Sequence, residues 1–254
     1  MLCRMTPRCA IDPAWLGTMP RPLYLLVSAV LGLLVGPAAA YWAMTKPTAV
    51  VQTMADFERH IRSELRQQGD GYRAMIGDSI TAVAPDQVVC GRPVIRVAYG
   101  GAQIEDALQD LMPLLVGSRP AALIIAIGVN DAQRRIAKTR EQLLADVTIG
   151  YRTLLRQAKA LTPHVAVIQA SPVGQGQPMG DVFFDPSLIT AINGLIRDAA
   201  TDAKVPVLAL SGLAQSDGFA RDGVTLDGAH LSPAGYAIWS AVAAQAWQSI
   251  GACG

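Results

Sequence analysis

The sequence predicts an α/β domain in which helices cover both faces of a parallel sheet. Three observations predict it. Short apolar runs alternate with stretches whose apolar residues recur at helical spacing, from Phe57 to Trp247. The strongest run, Ala121 to Ile127, is apolar throughout, as a central parallel strand should be. Three runs end at polar or glycine-rich turns, Gly77-Asp78-Ser79, Gly100-Gly101 and Gly128-Val129-Asn130. A parallel sheet gathers such turns on one edge, where open α/β folds bind their ligands.

Taken in order, the chain opens on an apolar stretch from Leu23 to Met44, preceded by Arg4, Arg8 and Arg21. It is long enough to cross a bilayer, which takes about 20 residues. The positive-inside bias would send the rest of the chain out of the cytoplasm. Ala38-Ala39-Ala40 offers a small-residue cleavage site, so residues 1–45 are read as either a retained membrane anchor or a removed signal peptide. Met19-Pro20-Arg21-Pro22 would make a normal basic start, which suggests translation from Met19. Residues 46–70 hold a linker and an amphipathic helix, with Phe57, Ile61 and Leu65 on its apolar side. His60 falls in the charged part of that helix and is read as solvated.

Residues 71–251 form the main domain. Ala74–Ile76 is a buried strand stopping at Gly77. Val94 to Ala98 is the second strand, followed by a helix carrying Ile104, Ala107, Leu108, Leu111 and Leu115. After the central strand, Thr139 and Gln142 form a capping box for a long helix with Leu143, Val147, Tyr151, Leu154 and Leu155 on its buried stripe. Val165 to Ala170 is the fourth strand. Ser171 to Asp185 is a long loop whose Met179, Val182, Phe183 and Phe184 either form an apolar lid or fold back on the core. Asp185 caps a helix begun by Pro186. Val205 to Leu210 is the fifth strand, and Ser232-Pro233 opens the last helix.

Composition narrows the function classes. With 21 basic and 20 acidic residues the net charge is +1, so there is no electrostatic footprint for nucleic acid. The three histidines and four cysteines form no ligand cluster, so neither a metal nor another cofactor is expected. Cys90 and Cys253 are read as small buried side chains, with pairing in an oxidising compartment as the alternative.

The chemistry converges on a serine. Ser79 sits just past a strand's carboxyl end. A serine that attacks an ester needs a base, a carboxylate to orient the base, and donors for the oxyanion. Asp227 and His230, three residues apart, can supply the pair. Gly101 offers an unobstructed backbone N–H, Asn130 a side-chain amide, and Ser79 its own N–H. Asp78, Asp131 and His164 are read as structural.

These residues lie in a recognisable order. Gly77-Asp78-Ser79-Ile80, Tyr99-Gly100-Gly101-Ala102, Gly128-Val129-Asn130-Asp131 and Asp227-Gly228-Ala229-His230 resemble the four blocks of the SGNH (GDSL-type) serine hydrolases. The resemblance implies a flavodoxin-like three-layer α/β/α sandwich on a five-stranded parallel sheet. It implies an esterase or lipase without metal, with Ser79, His230 and Asp227 catalytic and Ser79, Gly101 and Asn130 forming the oxyanion hole. The second block departs from the pattern, since the asparagine usual before its glycine is replaced near Arg96. The connection after Ser79 is short, which implies a reduced helix there and an open site. The expected activity is an exported esterase acting on a small-molecule, glycan or lipid ester of short acyl chain. Acyl transfer to a glycan and a non-catalytic glycan-binding module are the alternatives.

Overall fold

The computed structural model describes residues 53–253. The apolar stretch and candidate cleavage site in residues 1–45 lie outside them. Among the described residues, no helix is long and apolar enough to cross a membrane.

Helix α1 (Met54–Gln68) precedes strand β1 (Arg73–Gly77), the four-residue helix α2 (Ser79–Ala82), and strands β2 (Val88–Val89) and β3 (Arg92–Ala98). A helical segment follows, made of α3 (Ile104–Asp106), a π-helical turn (Ala107–Leu111) and α4 (Met112–Leu115). Then come β4 (Ala122–Ala126), α5 (Arg140–Leu161), β5 (Val165–Ile168), α6 (Pro186–Asp202), β6 (Val207–Leu208) and α7 (Pro233–Ser249).

The sheet runs β2-β3-β1-β4-β5-β6. Five of these strands are mutually parallel, and β2 adds an antiparallel edge. The expected purely parallel five-stranded sheet is therefore corrected to a mixed sheet of six. The extra strand comes from a hairpin whose two-residue turn, Cys90-Gly91, has φ of +54° and +73°. Positive φ at both positions is the turn that matches strand twist. Two valines are too short a run to announce a strand. The fifth expected strand shrinks to Val207–Leu208.

Side-chain alternation divides the interior in two. Ala74, Ile76, Leu123, Ile125, Val165 and Val167 face one core, covered by α1, the α3–α4 segment, α5 and α6. Met75, Ile124, Ala126, Ala166 and Ile168 face the other, covered by α2 and α7. This period of two along strands buried on both faces is why their sequence reads as continuously apolar. The helix expected around Ile104–Leu115 is not uniform. Pro113 has no N–H to give to the preceding turn, and its ring would crowd the carbonyl four residues back. The backbone widens, and the N–H of Met112 bonds to Ala107 O.

Register places the site. Gly77, the last residue of β1, pairs with Ala98 on one side and Ala126 on the other, the last residues of β3 and β4. Ser79, Gly100-Gly101 and Asn130 thus leave the sheet from one edge. Capping sharpens the exits from this edge and the helices behind it. Thr139 and Gln142 form the expected capping box, Asp185 accepts from the N–H groups of Ser187 and Leu188, and Ser232 accepts from that of Gly235.

Candidate active site

Ser79 is the first residue of α2 and is half-buried. Asp78 caps the helix, accepting the Ile80 N–H at 3.0 Å. The strand must end on glycine, because a Cβ at Gly77 would lie 2.2 Å from Thr81 Oγ1 and 2.8 Å from the Ala126 carbonyl. The helix stops after one turn, so the reduced helix expected after Ser79 is present. Its exit is tied to the far end of the chain: Tyr236 Oη on α7 donates to Ile80 O at 2.9 Å.

Asp227 and His230 occupy a tight loop closed by Leu226 N–H to His230 O and Ser232 N–H to Val224 O. Asp227 Oδ2 lies 2.7 Å from His230 Nδ1. Its Oδ1 accepts the backbone N–H groups of Ala229 and His230, at 3.0 and 2.9 Å. Burial by itself would raise this carboxyl's pKa, but the hydrogen bonds from His230 and Ala229 outweigh it and hold it below the ordinary carboxylate value. With Nδ1–H committed to Asp227, Nε2 is the nitrogen left to take a proton. Among the described residues, His230 makes its hydrogen bonds to Asp227 and Leu226, and none joins it to Ser79 Oγ.

The candidate oxyanion donors Gly101 and Asn130 sit on the loops that follow β3 and β4. A Cβ built on Gly100 would lie 3.9 Å from that of Ser79, so this turn borders the serine. Gly101 has φ +85° and open space on its Cβ side. Asn130 is buried, and one N–H of its amide donates to Ala102 O at 3.1 Å. Asp78 and Asp131 are both pushed up to about 7, chiefly by burial, and Asp78 adds to the rise at Asp131. Asp131 ties two loops together instead of capping its own turn: its carboxyl accepts the Ile104 N–H at 3.2 and 3.3 Å. His60 is exposed beside Glu64, and His164 Nδ1 lies 2.7 Å from Ile250 O, away from the serine turn.

The long loop 171–185 settles as a brace. Phe184 is buried in the core, Met179 and Phe183 pack against it, and Val182 is left exposed. Gly174 N–H donates to Gly228 O at 2.7 Å and Met179 N–H to Asp227 O at 3.1 Å. The loop therefore holds the Asp227–His230 turn from behind. The sequence signal for this was the loop's own glycines. The contribution of Tyr236 had none.

Residues 67–238 match the model of the GDSL-like lipase/acylhydrolase family. The chain belongs to that family. It is an ester hydrolase. No curated protein matches the chain. Among solved structures it is similar to a GDSL-like lipase from Bacteroides thetaiotaomicron, at 19% identity and TM-score 0.58, over 77% of this chain and 98% of that one. A lipase/acylhydrolase from Enterococcus faecalis matches at 18% identity and TM-score 0.53, over 70% and 96%. An acetyl xylan esterase from Geobacillus stearothermophilus matches at 17% identity and TM-score 0.53, over 70% and 95%. At such identities the likeness carries the fold. Within this GDSL-like acylhydrolase, the four sequence blocks all fall on the loops just described.

Proposed function

We propose that this acylhydrolase is an exported serine esterase that cleaves acetyl or other short-chain carboxylic esters through an acyl-enzyme. The single observation that carries the reading is the doubly anchored Asp227, which orients His230 with Nε2 free. His230 takes the Ser79 hydroxyl proton as Oγ attacks the ester carbonyl, and Asp227 stabilises the imidazolium that forms. The oxyanion is held by the N–H groups of Ser79 and Gly101 and the amide of Asn130. The imidazolium returns its proton to the leaving alcohol. Water, deprotonated by His230, then attacks the acyl-enzyme, and the imidazolium gives that proton to Ser79 Oγ as the acid leaves.

The short-acyl preference is supported by the loop 171–185, whose Phe184 is buried in the core and whose Met179 and Phe183 pack against it, so that these residues are committed to the fold. Export is supported by the apolar stretch 23–44 and by the Cys90–Cys253 disulfide, since such bonds persist in oxidising compartments. Membrane association, if the apolar stretch is retained, would come through residues 1–45. The test is Ser79→Ala assayed on p-nitrophenyl acetate. Cleavage should vanish while the circular dichroism spectrum is unchanged, and full residual activity would sink the assignment.

A further inference from the structure

Asn130 can stabilise an oxyanion only if its amide nitrogen, and not its oxygen, faces the site. An amide rotated by half a turn has the same shape and the opposite effect, so something must choose between the two. Ala102 O supplies half of that choice by accepting from Nδ2. The other half lies in a chain of side chains the four sequence blocks do not include. Gln133 Nε2 donates to Asn130 Oδ1 at 2.9 Å, and Gln133 Oε1 accepts from Arg135 Nε at 2.7 Å.

The direction of this chain is dictated from its outer end. A guanidinium has only donors. Arg135 therefore draws the oxygen of Gln133 toward itself, which turns Gln133's NH₂ inward. That NH₂ draws the oxygen of Asn130, which leaves Asn130's NH₂ for Ala102 O and the site. Gln133 is only 6% exposed, so leaving either end unpaired would be costly. Arg135 is itself held, with its guanidinium carbon 5.3 Å from the centre of the Phe183 ring, and Gln133 forms a β-bridge to Phe184. The loop that braces the Asp227–His230 turn thus also seats the outer end of this chain.

We propose that Gln133 and Arg135 are positioning residues that fix the amide of Asn130 as an oxyanion donor. The proposal rests on the oxyanion-hole reading of Asn130. The informative variant is Gln133→Glu in the full chain. Glutamate keeps the shape of glutamine and strengthens the pairing with Arg135, so the fold should hold. It cannot donate to Asn130 Oδ1, and its carboxylate would instead attract Nδ2, turning the amide oxygen into the hole.

On p-nitrophenyl acetate, Gln133→Glu should lower kcat by about 100-fold, the loss typical of one missing oxyanion donor, with KM within about twofold. Asn130→Ala should lose a similar factor, and the double variant should be no slower than Asn130→Ala. A Gln133→Glu enzyme with wild-type kcat, beside a crippled Asn130→Ala, would overturn the positioning role and leave the hole intact. Wild-type kcat in Asn130→Ala would overturn both. A further loss in the double variant would show Gln133 acting elsewhere and would also overturn the proposal. Melting temperatures of all three variants separate kcat losses from unfolding.

Discussion

The Asp227 carboxylate lies 2.7 Å from His230 Nδ1 through one oxygen while its other oxygen takes two backbone N–H groups of the same turn. One side chain therefore shapes the loop and selects the imidazole tautomer. Asparagine at 227 would keep the oxygen that receives the backbone N–H groups. Its NH₂ would face Nδ1, forcing the ring proton to Nε2, where it blocks proton transfer from Ser79. Asp227→Asn should thus leave the melting temperature nearly unchanged and lower kcat by about 10³–10⁴-fold. A drop below tenfold in steady-state assays would mean the pair is not catalytic.

The carboxyls of Asp78 and Asp131 are shifted in the direction opposite to that of Asp227. Burial pushes both up to about 7 in the folded protein. An unfolded aspartate releases its proton near pH 3.9. Between about pH 4 and pH 7 the folded state therefore holds protons the unfolded state has lost, and stability falls as pH rises across that window. Asp131→Asn removes the ionisation but keeps an oxygen to accept the Ile104 N–H. Melting curves from pH 5 to pH 8 should show the variant gaining on the wild type as pH rises. Parallel curves would refute this.

Legibility tracked how many constraints each residue obeyed alone. Ala122–Ala126 and Ala74–Ile76 are buried on both faces, so every position had to be apolar and the strands announced themselves. Val88–Val89 needed only two residues and a turn with Cys90 at positive φ, which no periodicity reports. The π-helical turn before Pro113 keeps helical spacing nearly intact, so its apolar stripe looked regular. Ser79, Gly101, Asn130, Asp227 and His230 stood out because they fall in four short blocks whose residue types and order resemble those of the SGNH hydrolases. Gln133 and Arg135 are ordinary surface residue types, and only their three-dimensional order gives them meaning.

Cys90 and Cys253 read in the sequence as small buried side chains, with a disulfide as the alternative. They form a disulfide with a Cα–Cα distance of 5.4 Å across 163 residues of sequence. Each sits on a feature invisible from spacing: one on the hairpin turn, the other just past α7. Closing so long a loop should contribute about 2–4 kcal/mol by limiting the unfolded chain. The same junction is also held by Arg73 to Ala252 O and by Trp247 Nε1 to Gln87 Oε1 at 3.0 Å. Cys90→Ala/Cys253→Ala should therefore melt roughly 5–15 °C lower, yet keep wild-type kcat at 25 °C. A lost kcat at a temperature where the variant is fully folded would tie the disulfide to the site itself.

Gly228 offers the sharpest test of the brace behind the Asp227–His230 turn. It lies between Asp227 and His230, at φ +106°. A Cβ there would fall 2.6 Å from Gly180 N and 2.8 Å from Gly180 Cα, which are backbone atoms with no side-chain freedom to yield. Gly228→Ala must therefore push the Asp227–His230 turn off the loop 171–185, breaking the bonds to Gly174 and Met179 that hold it. A displacement of about 1 Å at a catalytic group costs on the order of 100-fold in rate. Gly218→Ala is the matched control: its φ is +88°, but nothing lies within 4 Å of the added carbon. Both variants should melt lower from backbone strain, and only Gly228→Ala should lose kcat. Equal kcat in the two, measured on p-nitrophenyl acetate with folding confirmed, would show that the turn holds its geometry without the loop behind it.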